Sequence, residues 1–106
     1  MNILITGANR GIGAGLLASY RAAGHSAEGT ARNGDKDLLP LDLTDPDAAA
    51  QLAASRPAPL DLLICNAGVY RDKGQTIATG YPPELWAESF ATNVTGVFLM
   101  VQAFLP

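Results

Sequence analysis

The chain has 106 residues and a mass of 11.0 kDa, which is room for one domain and not for two, and 48% of its residues are hydrophobic, enough to build a packed core. Ten acidic against seven basic residues give a net charge of −3 without a basic block or stripe, which argues against nucleic-acid and anionic-membrane binding. A single cysteine excludes an internal disulfide framework and a multi-cysteine metal site, and fits a reducing cytoplasm.

Met1-Asn2-Ile3-Leu4-Ile5 has neither a basic leader nor a long apolar stretch, so no secretory signal is read there. Asn2 to Thr6 is instead a short β-branched run ending in glycine, which predicts a buried strand. Ile12 to Ala23 carries apolar residues at 12, 16, 17 and 20 and stops at Gly24, a helix with a natural C-terminal glycine. Ser26 to Ala31 predicts a second strand, weakened by Gly29 in its middle, and Leu38 to Leu43 a third that Pro40 places at a sheet edge. Thr44-Asp45-Pro46-Asp47 reads as the cap of a helix through about Ser55, with Pro46 in its first turn. Leu60 to Cys65 is a fourth strand, apolar on both faces, and residues 69 to 81 read as a loop. Pro82-Pro83 opens a long helix, and the 18 residues from Ser89 to Pro106 carry no charge. Their Ser, Thr, Asn and Gln content makes a core helix a better reading than a membrane span. Strands alternating with helices of this length imply right-handed βαβ crossovers and a parallel sheet, an α/β fold.

Between the first strand and first helix lies Thr6-Gly7-Ala8-Asn9-Arg10-Gly11-Ile12-Gly13. Gly7 lets the chain turn off the strand, while the missing side chains at Gly11 and Gly13 are read as letting a ligand approach the backbone. The free N–H groups of the helix start then favour an anion such as a diphosphate. A tight structural turn is the plainer alternative. The spacing is G-x-x-x-G-x-G, and with it three further segments agree in order: Asp42-Leu43 after the third strand, Asn66-Ala67-Gly68 after the fourth, and Asn93-Val94-Thr95-Gly96 in the last helix. Together these resemble the motifs of the short-chain dehydrogenases/reductases over residues 6 to 96. The short N-terminus and Asn66-Ala67-Gly68-Val69-Tyr70 are similar to the carbonyl-reductase-like, C-factor-like branch.

The resemblance implies a Rossmann-type parallel sheet in the order 3-2-1-4, with residues 1–106 as the NAD(P)-binding, N-terminal part of such an enzyme, cut before its later strands and helices. It implies cofactor contacts from Gly7, Asn9, Arg10, Gly11, Ile12, Gly13, Arg32, Asp42, Leu43, Asn66, Ala67 and Gly68, and a catalytic asparagine position at Asn93. Local chemistry favours NADP over NAD. The second strand ends Thr30-Ala31-Arg32, so Ala31 cannot accept the ribose hydrogen bonds that an acid would, whereas Arg32 can pair with a 2′-phosphate. Arg10 supplies a second cation; the alternative makes both arginines solvated surface residues, and Asp35 is a spoiler if its turn folds back.

Asp42 is read as accepting from the adenine amino group, or else as part of the Leu43-Thr44-Asp45 cap. Asn66 can tie adjacent strands or meet the nicotinamide ribose, with Ala67 and Gly68 keeping the surface low. Cys65 reads as a small buried filler and His25 as a surface turn residue, while Asn93 has the alternative of satisfying a bend in the helix near Gly96. No metal ligand set is read.

The resemblance requires a Tyr-x-x-x-Lys pair and a serine. Tyr20, Tyr70 and Tyr81 are followed four places on by Gly24, Gly74 and Leu85, and Tyr70-Arg71-Asp72-Lys73 has the wrong spacing. The expectation is therefore the cofactor-holding half of an NADP-dependent reductase acting on a small carbonyl or alcohol. A non-catalytic dinucleotide-binding or interaction module, or an inactive truncated product, are the alternatives. Apolar surface left by missing partners leaves a homo-oligomer open.

Overall fold

A computed structural model describes residues 1–35, 37–56, 58–69, 74–80 and 82–105. Its elements in chain order are β1 (Asn2–Ile5), α1 (Gly11–Ala22), β2 (Ser26–Ala31), β3 (Leu38–Pro40), α2 (Ala48–Ser55), β4 (Leu62–Ile64), α3 (Pro83–Phe90), a π-helical turn (Ala91–Thr95) and α4 (Gly96–Phe104). Among the described residues the strands make one parallel sheet in the order β3-β2-β1-β4, a Rossmann-like α/β arrangement. Tyr70, Lys73 and Tyr81, and with them part of the 69–81 loop, lie outside the described residues.

The alternation of β1 builds two layers. Ile3 and Ile5 point to α1 and join Ala8, Leu17 and Ala27, with Leu62 and Ile64 of β4 on the same face. Leu4 points the other way and packs with Leu41, Ala49 and Met100, flanked by Leu63, Cys65, Leu99 and Phe104. Each fully buried aliphatic of β1 stabilises the fold by roughly 1.5–3 kcal/mol. Gly29, which weakens β2 on propensity, is what this packing needs. A Cβ there would stand 2.4 Å from the Ala8 Cβ and 3.0 Å from the Leu17 Cδ2, so only glycine lets the glycine loop and α1 settle onto the strand.

Both outer strands are shorter than their apolar runs. Pro40 has no N–H to continue the ladder and sits opposite Ala31 at the last register position of edge strand β3. β4 keeps only Leu62–Ile64, half-buried at the opposite edge. Helix α2 starts later than the capping pattern suggests. Pro46 precedes the N-cap Asp47 rather than entering the first turn, and the Asp45 carboxylate accepts the Asp47 N–H at 2.9 Å in a turn of its own.

Beyond α2, Arg56 reaches across β2. Its Nη1 lies 2.9 Å from Glu28 Oε1, with the Arg56 side chain 10% exposed and that of Glu28 43%. Replacing Glu28 leaves a nearly buried guanidinium without its counter-charge. Glu28→Ala should cost about 1–2 kcal/mol in chemical denaturation, less than a fully buried pair because water still reaches the carboxylate. An unchanged midpoint would show the pair to be inert.

The last helix runs unbroken from Pro83 to Phe104 but is not α-helical throughout. Asn93 and its neighbours form a π turn, and a Cβ on Gly96 would lie 2.9 Å from the Leu43 Cβ and 3.1 Å from the Leu43 oxygen. The helix is thus pressed against the segment after β3 where its ladder shifts. Nor is this helical stretch covered all round: Met100 of α4 is fully buried against α2 and β1, while Trp86, Phe90, Val94, Phe98, Val101 and Leu105, from α3 to just past α4, form an exposed stripe. Among the described residues no helix is long and apolar enough to cross a membrane.

Candidate functional site

Four segments converge at the C-terminal ends of the strands, where open parallel sheets hold their ligands. They border a cleft of about 490 Å³ lined by the glycine loop, the ends of β2 and β3, the segment after β4, and Thr92 of the π turn.

The loop is held from beneath by Thr6, which does not line the cleft, and from the side by Asn66, which does. Thr6, 1% exposed, accepts the N–H groups of Asn66 and Ala67 on one hydroxyl, each at 3.0 Å. Asn66 Nδ2 donates to the Gly7 carbonyl at 3.1 Å, and Ala8 N–H donates to Thr30 at 2.8 Å. Of the two roles open to Asn66, its amide nitrogen performs the tie. Gly7 takes a left-handed φ of 65°, and a Cβ on it would lie 2.8 Å from the Ala67 Cα. Gly11, also left-handed, has open space where its Cβ would be, so it is the glycine that leaves the cleft accessible. Gly13 does something else. It is buried and does not line the cleft, and its Cβ would fall 2.1 Å from the Gly7 oxygen and 2.6 Å from Asn66 Nδ2. In this structure the missing side chain of Gly13 makes room for the loop to close on α1 rather than for open cleft.

Helix α1 begins without a side-chain cap and without an acid in its first turn. Its leading N–H groups are left for an anion, as the loop reading requires. Asn9, Arg10 and Gly11 border the cleft, as does Ile12, which is 76% exposed at its mouth and not part of the α1 core stripe.

At the far end, Arg32 follows β2 and Asp42 stands two residues past β3. Arg32 Nε lies 3.7 Å from Asp42 Oδ2, with both side chains substantially exposed. Asp42 Oδ1 accepts the Thr44 hydroxyl at 2.6 Å and the Thr44 N–H at 3.0 Å. The carboxylate thus serves the turn with one oxygen while the other is the one nearer Arg32. These Thr44 bonds, more than Arg32, hold the Asp42 carboxyl below its ordinary pKa against a small desolvation cost. A depressed carboxylate binds fewer protons folded than unfolded, so its stabilisation is present above the ordinary carboxylate range and is lost as pH falls through the folded value. Wild type should therefore exceed Asp42→Asn in stability at neutral pH and converge with it below about pH 4. A constant difference across denaturation curves at several pH values would contradict this.

Leu43, Ala67 and Gly68 line the cleft; Asn93 does not. Its Oδ1 accepts the Val69 N–H and its Nδ2 donates to the Val69 carbonyl, both at 2.8 Å. The side chain is exposed, and both its polar atoms are spent on the Val69 backbone. The alternative of a buried group satisfying a helix bend is thereby corrected. Ala31, the position read as lacking a ribose acceptor, lines the cleft, and so do Thr30, Leu41, Thr44, Val69 and Thr92, which the motifs do not mark as contacts. The strand-end residues among them follow from the rule that ligands sit at strand C-termini; nothing in the sequence marks Thr92.

Two residues set aside on sequence remain outside the cleft. Cys65 is half-buried among Leu4 and its neighbours, where desolvation pushes its thiol pKa up and away from nucleophilic use. His25 Nδ1 lies 3.1 Å from the Met1 ammonium, its ring edge-on to Tyr20 at 5.9 Å.

A family model described as short chain dehydrogenase matches residues 1–106. The chain is 32% identical over 111 residues to an acetoacetyl-CoA reductase of Rhizobium meliloti (strain 1021), covering 92% of the chain and 45% of that relative. Among solved structures it is similar to serine dehydrogenase from Escherichia coli, with a TM-score of 0.84 and 30% identity over 100% of this chain and 55% of that one. It is also similar to a short chain dehydrogenase from Burkholderia cenocepacia J2315 in complex with NADP, with a TM-score of 0.81 and 31% identity over 99% and 46% of the two chains. The chain thus spans about half the length of the relatives it matches. The sheet order agrees with these likenesses, and the chain belongs to the short-chain dehydrogenase family.

Proposed function

We propose that these residues form the cofactor-holding part of an NADP-dependent oxidoreductase that interconverts a small carbonyl compound and an alcohol. The group fits the cleft on this chain's own features: uncapped N–H groups at α1, open space at Gly11, and two arginines on the lining. In this reading the α1 N-terminus and the Gly11–Ile12 backbone take the diphosphate. Arg32, with Arg10, takes the 2′-phosphate, and the second Asp42 oxygen accepts from the adenine. Ala67 and Gly68 leave a low surface for the nicotinamide end. The cofactor, when bound, supplies the hydride chemistry. Asn93 contributes as a positioning residue that fixes Gly68–Val69. An NADP-bound structural neighbour lends further support.

The observation that carries the cofactor choice is Arg32 at the cleft rim beside an alanine, where an NAD site would place an acid. Titration should find NADPH bound more tightly than NADH by about ten-fold, a phosphate contact of roughly 1.4 kcal/mol, and Arg32→Ala should erase the difference. Tighter binding of NADH would end the assignment. These 106 residues contain no Tyr-x-x-x-Lys, so the purified chain should bind NADPH without reducing carbonyls; turnover by a mass-verified sample would refute that. The exposed Trp86–Leu105 stripe favours a second apolar surface over it, whether the rest of a longer protein or another copy.

A further inference from the structure

We propose that Asp42 is a positioning residue for Arg32 and so sets how strongly the cleft distinguishes a phosphorylated from an unphosphorylated adenosine ribose; this rests on the NADP reading above. The parallel register pairs Ala31 with Pro40, which carries Arg32 and Asp42 to the same rim. Asp42 is itself aimed. Thr44 occupies Oδ1 with two hydrogen bonds, leaving Oδ2 as the oxygen 3.7 Å from Arg32 Nε. The approach is on the stem side of the guanidinium, and the terminal nitrogens stay available to a pair of phosphate oxygens. An exposed arginine loses rotamer freedom when it captures a ligand, and a fixed carboxylate at Nε reduces that loss. Repulsion between the carboxylate and the arriving phosphate opposes this, and the sign of the Asp42→Asn effect on NADPH reads which of the two prevails.

An adenine contact alone would make Asp42 matter equally to both cofactors, whereas positioning of Arg32 makes it matter to the phosphorylated one. Dissociation constants for NADPH and NADH, measured by calorimetry on wild type, Asp42→Asn, Arg32→Ala and the double variant, separate these. Asp42→Asn should weaken NADPH by about five-fold and NADH by less than about two-fold, the size expected of one exposed charged contact. In the Arg32→Ala background it should have no NADPH-specific effect. Thr44→Val, which keeps the charge and the backbone bond but removes the hydroxyl bond that helps aim the carboxylate, should give a smaller loss of the same kind. Equal loss for both cofactors, tighter NADPH binding, or an NADPH-specific loss that survives without Arg32 would each overturn the proposal. If Arg32→Ala leaves the wild-type preference intact, or wild type binds neither nucleotide, the NADP reading itself has failed.

Discussion

Gly13→Ala is expected to abolish nucleotide binding and to lower the melting temperature by more than about 10 °C, although it adds one neutral methyl group. The methyl carbon would have to occupy a point 2.1 Å from the Gly7 oxygen and 2.6 Å from Asn66 Nδ2. Neither neighbour can yield. The first is backbone, and the second is hydrogen-bonded to that same carbonyl at 3.1 Å. Moving the loop off α1 would also strain the Ala8–Thr30 bond and the packing of Ala8 over Gly29. Overpacking of this kind costs roughly 3 kcal/mol or more, a large part of a small domain's stability. Gly11→Ala is the control. Its φ of 59° penalises alanine by about 1–2 kcal/mol, but nothing stands within 4 Å, so the fold should survive with weakened binding. An acidic side chain at 13 therefore needs no repulsion from a bound diphosphate to be harmful, since the steric effect precedes the charge. Wild-type melting and affinity in Gly13→Ala would show that the loop can open away from the helix.

The contrast between the two glycines shows what could be read in the sequence. Spacing and the strand–helix context place the glycine loop between β1 and α1, where the structure has it, because local conformation and helix ends are local properties. Which glycine faces open space and which faces the protein depends on Asn66, a residue 53 positions further on than Gly13, and spacing carries no trace of that. Gly29 shows the same limit from the other side: propensity counts it against β2, yet the close approach of Ala8 and Leu17 makes it necessary.

The helical period likewise marks Ile12 as apolar without telling core from cleft mouth. The uncharged C-terminal stretch correctly signals a helix that packs on the sheet through Met100. It does not signal the π turn, which coincides with pressure from Leu43 and with the Asn93–Val69 pair rather than with any breaker residue. The sheet order follows the family resemblance, and the strand-end residues lining the cleft could have been added from the α/β rule alone.

Thr6 is the second place where a small change should have a large effect. Thr6→Val preserves shape and β-propensity but removes the hydroxyl that accepts both the Asn66 and Ala67 N–H groups. Asn66 N–H keeps a longer alternative bond to the Ile64 oxygen at 3.2 Å, so the Ala67 donor bears most of the loss. One fully orphaned donor and one weakened one predict a cost of about 2–3 kcal/mol, or roughly 10 °C in melting temperature. The damage should extend to binding. Ala67 lines the cleft, and its Cα fits against Gly7, so releasing the segment after β4 loosens the glycine loop as well. Thr6→Ser retains the oxygen and should keep nucleotide affinity close to wild type, giving up mainly the buried methyl at about 1 kcal/mol. If Thr6→Val and Thr6→Ser proved equally stable and bound NADPH equally well, the hydroxyl would have no part in holding the floor of the cleft. The expected separation of the two variants would instead mean that the shape of the phosphate loop is held by one buried oxygen beneath it, on a residue that touches no ligand.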